Sequence, residues 1–191
     1  MENEQHKVVI TTDLFVLLLI KACDNSVTSF KKEVKIDLNQ DVLNTIYVEY
    51  LILYVYFLDG QLRRIYTMDQ YGSMLGSITG EIAQKLDNRD ARLTPLFSKM
   101  FNERFTAHAA YKYFALGTKG GIIVEDSRKN TISAFSQWIA KLLNQESLSG
   151  LIEKIGLEQA HVLLKDLENK GISINIKYKD VLVSEYKKRS T

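Results

Sequence analysis

The chain has 191 residues, of which 46% are hydrophobic and 25% are charged, and its formal net charge is +2 at pH 7. This length allows one domain or two small ones, and the composition is that of a globular protein with no low-complexity tract. The single cysteine, Cys23, excludes an internal disulfide framework and fits a reducing compartment. So small a net charge does not by itself indicate an acidic partner such as nucleic acid.

The two longest apolar runs are residues 14–20 and residues 50–58. Both are far shorter than the roughly 20 residues of a membrane-spanning helix. No small-residue cleavage site follows the first run, as it would in a secretory signal. The sequence therefore predicts a cytoplasmic protein with no membrane partner.

Four helices are predicted within residues 1–120, which we interpret as a helical bundle for oligomerisation or partner binding. The first runs from about residue 12 to 30, and the second from about residue 39 to a break at residues 59–60, or to residue 66. Apolar residues at steps of three and four mark a third helix over residues 71–86. Thr94 followed by Pro95 predicts an N-cap and a first helical position, and the fourth helix would end at Gly117.

The second helix is apolar on almost every side, which predicts a central position in the bundle or one shared with a second subunit. Glu49 is the only charged residue between Asp41 and Asp59. On a helical wheel it belongs to a narrow polar seam, which favours a structural carboxylate over a functional one. Three tyrosines of this helix are candidates for an interaction surface: Tyr47, Tyr50 and Tyr54.

The third helix carries Gly72, Gly76 and Gly80 on one face, beside Thr79 and Ala83. Each glycine within a helix costs about 1 kcal/mol relative to alanine, so three of them on one face need a physical reason. We expect another helix or backbone to approach this face closely, and we include the three glycines in the candidate interaction surface. A ligand lying on the smooth face is the alternative.

Residues 121–130 are interpreted as a linker, with a possible short strand at residues 122–125. A helix with Trp138 and an apolar stripe follows, and then two short helices at residues 149–155 and 158–169. Residues 172–179 alternate between apolar and polar side chains, which predicts a strand, and the pair Lys179-Asp180 can turn the chain into a second strand.

This order of helices, a turn at Gly156 and a hairpin resembles the winged helix-turn-helix superfamily. "LSGLIEKIGL" corresponds to its second helix and turn, "EQAHVLLKDLENKG" to its third helix, and "ISINIKYKDVLV" to its wing. The fold class implied is mainly α, with an N-terminal helical bundle followed by a C-terminal winged-helix-like α+β module with a β-hairpin over residues 131–191. Members of this superfamily include transcription regulators and assembly modules that do not bind DNA.

The resemblance implies contacts with double-stranded DNA through the third helix, the wing and the basic tail. The candidate residues are Gln159, His161, Lys165, Asn175, Lys177, Lys179, Lys187, Lys188 and Arg189. Residues 171–191 carry a net charge of +3, whereas residues 157–170 carry −1, which a phosphate-lined groove would repel. The alternative is that the wing is a solvated edge strand protected by its lysines.

No catalytic residue, cofactor or metal site is predicted. Glu158 and His161 have the spacing of half a carboxylate di-metal site, but no second such pair is present in the sequence. Two functions from different classes follow: a non-enzymatic regulatory protein that contacts DNA, and a protein–protein assembly module with no nucleic-acid binding. Both predict a homo-oligomer or a protein partner. A helical small-molecule or metal-binding protein is a remote third.

Overall fold

A computed structural model describes residues 12–65, 68–110 and 125–169 of the chain. These ranges form six α-helices and no β-strand. The helices are α1 (Thr12–Val34), α2 (Gln40–Ile65), α3 (Met68–Arg89), α4 (Leu93–Ala110), α5 (Glu125–Leu142) and α6 (Ser149–Asn169), with a 3₁₀ turn at Glu146–Leu148 before α6.

Helix α2 lies at the centre of the molecule and contacts each of the other five helices. Every residue of α2 from Ile46 to Tyr56 is buried, so this helix has no solvent-facing side over three turns. Helix α1 packs beside it, the pair α3–α4 packs against both, and the pair α5–α6 covers α1 and α2 elsewhere. The central position predicted from the apolar sequence of α2 is confirmed.

The buried side chains form one hydrophobic cluster that draws on all six helices. It extends from Phe15 in α1 to Leu163 in α6, and α5 contributes Phe135 and Ile139. Each fully buried aliphatic or aromatic side chain stabilises the fold by roughly 1.5–3 kcal/mol relative to its exposed state. The two C-terminal helices therefore share the core of the N-terminal four.

Side chains and backbone groups close the helix ends as local physical chemistry requires. The Asn39 side-chain oxygen accepts the backbone N–H of Val42 at 2.9 Å, which is an N-cap for α2. At the end of α5, the Gln145 N–H donates to the Ala140 carbonyl at 2.9 Å and the Asn144 N–H to the Lys141 carbonyl at 3.0 Å. These two bonds make a Schellman motif, and Asn144 takes the left-handed conformation that the motif needs, with φ of 54°.

The predicted positions of the first four helices are confirmed within a few residues, although Gly60 does not end α2. Thr94 is not the residue before α4, because that helix begins at Leu93. Its hydroxyl donates instead to the Ala83 carbonyl of α3 at 2.9 Å, so Thr94 ties two helices together. The predicted end at Gly117 lies outside the described residues.

The winged-helix fold class is wrong for the part of the chain that can be compared. A helix-turn-helix needs a break at Gly156, whereas α6 continues without interruption from Ser149 to Asn169. Gly156 is buried inside this helix, where a Cβ atom would lie 3.4 Å from both Leu53 Cδ2 and Phe135 Cε1. The glycine therefore serves close packing of α6 on α2 and α5, not a turn.

The hairpin of the predicted wing, residues 172–185, lies outside the described residues, as do residues 122–124 of the predicted short strand. Residues 125–130 of the expected linker are the first residues of α5. No strand occurs in the three described ranges, and nothing there supports an α+β module.

Candidate functional site

The glycines of α3 lie on an exposed face of that helix. Gly72, Gly76 and Gly80 are all exposed, and a Cβ atom built at any of them would meet no described atom of the chain within 4 Å. The close approach of another helix that the glycine spacing predicts is therefore not made within the described part of this chain. Gly156, with its ordinary van der Waals contacts, shows what a glycine packed in this chain looks like.

The exposed face is also neutral, and two of its hydroxyls bond to the backbone of their own helix. No charged residue lies between Asp69 and Glu81. The Ser77 hydroxyl donates to the Ser73 carbonyl at 3.1 Å, and the Thr79 hydroxyl to the Leu75 carbonyl at 2.9 Å. Because these two hydroxyls bond to their own helix, a partner could cover this face without leaving their O–H groups buried and without an acceptor.

The opposite side of α3 anchors it to the bundle. Tyr71, Met74, Ile78, Ile82 and Leu86 are buried in the core. At its C-terminal end, Lys85 pairs with Asp13 of α1, and Arg89 pairs with Asp24 of α1 at 2.5 Å. The Arg89 guanidinium also lies over the Tyr47 ring, 4.6 Å from its centroid. The helix that bears the glycine face is therefore fixed to the bundle by its opposite side.

The tyrosines of the candidate interaction surface lie in the core of this chain. Tyr47 is 4% exposed, and Tyr50 and Tyr54 are fully buried. The Tyr54 hydroxyl shares a 2.5 Å hydrogen bond with Ser26, and the Tyr50 ring packs edge-on against Phe135 with centroids 5.0 Å apart. Burial raises the pKa of all three phenols. A partner could contact these rings only if the bundle opened.

Glu49 forms a buried ion pair that sequence reasoning did not find. The residue is 2% exposed, and its Oε1 accepts a hydrogen bond from Arg104 Nε of α4 at 2.8 Å. The Arg104 guanidinium also lies over the ring of Trp138 in α5, 4.4 Å from the centroid. One oxygen of Glu49 therefore makes a structural contact between two helices, as expected for a structural carboxylate. The other oxygen, Oε2, has no hydrogen-bond partner among the described residues.

A sequence signal for this pair exists. Arg104 follows Phe97 by seven residues, Met100 by four and Phe101 by three, so it continues the apolar stripe of α4. Glu49 likewise interrupts the apolar surface of α2. Two isolated charges of opposite sign, each within an apolar helix face, indicate a pair when the helices are antiparallel neighbours or cross.

The remaining candidate residues fall into two groups. On α6, His161 and Lys165 are exposed, Gln159 is partly exposed, and Glu158 pairs with Lys154 at 3.8 Å rather than with His161. Outside the described residues lie Asn175, Lys177, Lys179, Lys187, Lys188 and Arg189. Their contact with DNA stays a sequence prediction, and the winged module that gave it a mechanism is not seen.

Two further observations concern ligands and membranes. Within the described ranges, no group of three or more His, Cys, Asp or Glu side chains is placed to hold a metal ion. In the same part of the chain, no helix combines the length and apolar character needed to cross a bilayer. Comparison of the chain with protein-family models, with curated proteins and with solved structures gave no match.

Proposed function

We propose that this protein is a helical assembly module that associates through the exposed glycine face of α3, formed by Gly72, Gly76 and Gly80. The observation that carries the proposal is that no described atom of the chain lies within 4 Å of a Cβ built at any of these three residues. In a monomer, three exposed helical glycines sacrifice roughly 1 kcal/mol each without any packing gain. A helix docked on them recovers this loss, because its backbone can approach a surface that has no side chains.

The partner we propose is a second copy of the chain. Gly72 and Gly80 are placed symmetrically about Gly76, so an antiparallel pair of α3 helices would set Gly76 against Gly76 and Gly72 against Gly80. Such self-complementarity is what a two-fold interface requires, and two-fold dimers are the commonest oligomers. Glycines four apart form a groove along the helix, which suits crossing at about −50°.

The test is the molar mass of the full chain across a concentration series, by light scattering or sedimentation. We expect a dimer that Gly76→Leu weakens at least tenfold, because the leucine side chain occupies the space of the partner backbone. Gly76→Leu should also increase the free energy of unfolding of the monomer slightly, since leucine is the better helix former. Gly150→Leu is the matched control, because Gly150 is another exposed helical glycine with no described atom within 4 Å of its Cβ position.

A chain that stays monomeric at every concentration, or a dimer indifferent to Gly76→Leu, would reject the proposal. The DNA hypothesis is separated by a second measurement on the same samples. An assembly module shows no duplex binding whose affinity falls with salt, whereas contact with phosphates gives a linear fall of log affinity with log salt concentration.

A further inference from the structure

Arg104 connects two parts of the molecule. Helix α4 packs on α2 and α3, and α5 packs on α2 and α6. The Arg104 side chain extends from α4 to the Glu49 carboxylate on α2 and to the Trp138 ring on α5. One guanidinium therefore joins the α3–α4 pair to the α5–α6 pair through the central helix.

Two opposing effects act on the charged form of Glu49: burial disfavours it, and Arg104 favours it. The carboxylate is buried, and only one of its oxygens is hydrogen-bonded among the described residues. Burial raises the pKa of Glu49 and Glu103 of α4 raises it further, while the Arg104 charge and hydrogen bond lower it, with a net rise. Thr45 and Leu53, one turn away on α2, carry no charge.

The Arg104 guanidinium has a route to water. Its side chain is 27% exposed, whereas that of Glu49 is 3% exposed. Loss of the Glu49 charge would leave Arg104 with a neutral acceptor on one side and an aromatic ring on the other. A charge-assisted hydrogen bond is roughly twice as strong as a neutral one, so the guanidinium would then be held more weakly than before.

We propose that the Glu49–Arg104–Trp138 cluster is a proton-sensitive link between the two helix pairs. A proton taken from solvent by the Glu49 carboxylate releases the Arg104 guanidinium from the Trp138 ring towards water, while the six helices stay folded. The link closes again when Glu49 loses this proton. The device is conformational and does not depend on the assembly proposed above.

Trp138 is the only tryptophan in the chain, so all tryptophan emission comes from the ring on which Arg104 lies. The experiment is a pH titration of the full chain with selective tryptophan excitation, and far-UV circular dichroism followed in parallel. We expect a one-proton transition in Trp138 emission with its midpoint above the usual glutamate pKa of about 4.3, and an unchanged helical signal across it.

Three variants assign the transition. Glu49→Gln should show the low-pH emission at every pH, and Arg104→Met should show emission that does not change over the transition. His108→Gln is the control, because His108 is a histidine one turn after Arg104 in the sequence of α4. It should leave the midpoint within a few tenths of a pH unit.

Several results would overturn the proposal. If the Trp138 emission of the unmodified chain does not change with pH before the helical signal is lost, the proposal is wrong. This result needs no variant, so it holds even if the variants fail to fold. Persistence of the transition in Glu49→Gln or Arg104→Met would place the titrating group elsewhere, and its loss in His108→Gln would assign it to the histidine.

Discussion

Replacing Gly156 by alanine gives opposite results in a continuous helix and in a helix-turn-helix. In the interior of α6, glycine is less favourable than alanine by about 0.8–1 kcal/mol. In a turn that needs a positive φ, alanine would instead cost about 1 kcal/mol or more. The sign of one substitution therefore distinguishes the two folds.

The magnitude follows from the contacts around Gly156. An alanine Cβ would lie 3.4 Å from Leu53 Cδ2 and Phe135 Cε1 and 3.7 Å from Tyr50 Cε1, which is ordinary contact with the ends of side chains. Burying one methyl group contributes up to about 0.8 kcal/mol, less what the neighbours lose in adjusting. We expect Gly156→Ala to raise the free energy of unfolding by about 0.5–1.5 kcal/mol. Gly156→Leu has no room and should lower it by about 1–3 kcal/mol.

The assay is urea denaturation followed by Trp138 fluorescence and by circular dichroism, with thermal melting as a second measurement. For a chain of this size, 1 kcal/mol corresponds to about 2–4 °C in Tm. Gly150→Ala is the control, because Gly150 is exposed near the start of α6 and gains helix propensity without burial. A loss of 1 kcal/mol or more in Gly156→Ala, with no loss in Gly150→Ala, would show that the helix does not pass through residue 156 as described.

Three other predictions concern a helix cap and the buried ion pair. Asn39→Ala should lower the free energy of unfolding by about 1 kcal/mol in urea denaturation because α2 loses its N-cap, with Asn39→Asp as a control that retains it. Arg104→Met should lower it by about 3 kcal/mol because it leaves the buried Glu49 charge unpaired, and adding Glu49→Gln to that variant should restore stability; a further loss in the double variant would contradict this. Because the folded pKa of Glu49 is raised, its contribution to stability is complete below its usual pKa of about 4.3 and is lost as pH rises through the folded value. The free energy of unfolding of the unmodified chain, relative to that of Glu49→Gln, should therefore fall as pH rises from about 4.3 through the folded pKa of Glu49. A difference that rises with pH would show that the folded pKa of Glu49 is lowered.

Helix positions were predictable from sequence because they depend on local patterns. The steps of three and four in α3 act within a few residues, and the structure follows them. The buried pair of Glu49 and Arg104 depends instead on contact between two residues that are 55 positions apart in sequence and lie on different helices. Each charge is visible as an interruption of an apolar stripe, but nothing local says which stripes face each other.

Gly156 was misinterpreted for a different reason. Glycine permits a left-handed turn and also permits the close approach of a second helix. A glycine at this position of the sequence can therefore serve either purpose. Only the neighbours distinguish the two, and here they are Leu53 and Phe135, which come from other helices. The tyrosines of α2 posed the same problem, since a phenol suits an interface or a core that offers a polar contact.

The single cysteine has a practical consequence for measuring how the bundle opens. Cys23 is fully buried in α1 against the central helix, and burial raises the pKa of its thiol. A thiol that is both inaccessible and protonated does not react with alkylating reagents while the fold is closed. Its labelling rate in native buffer therefore counts openings of α1, and comparing that rate between Gly156→Ala and Arg104→Met would tell whether the two perturbations act on the same opening motion.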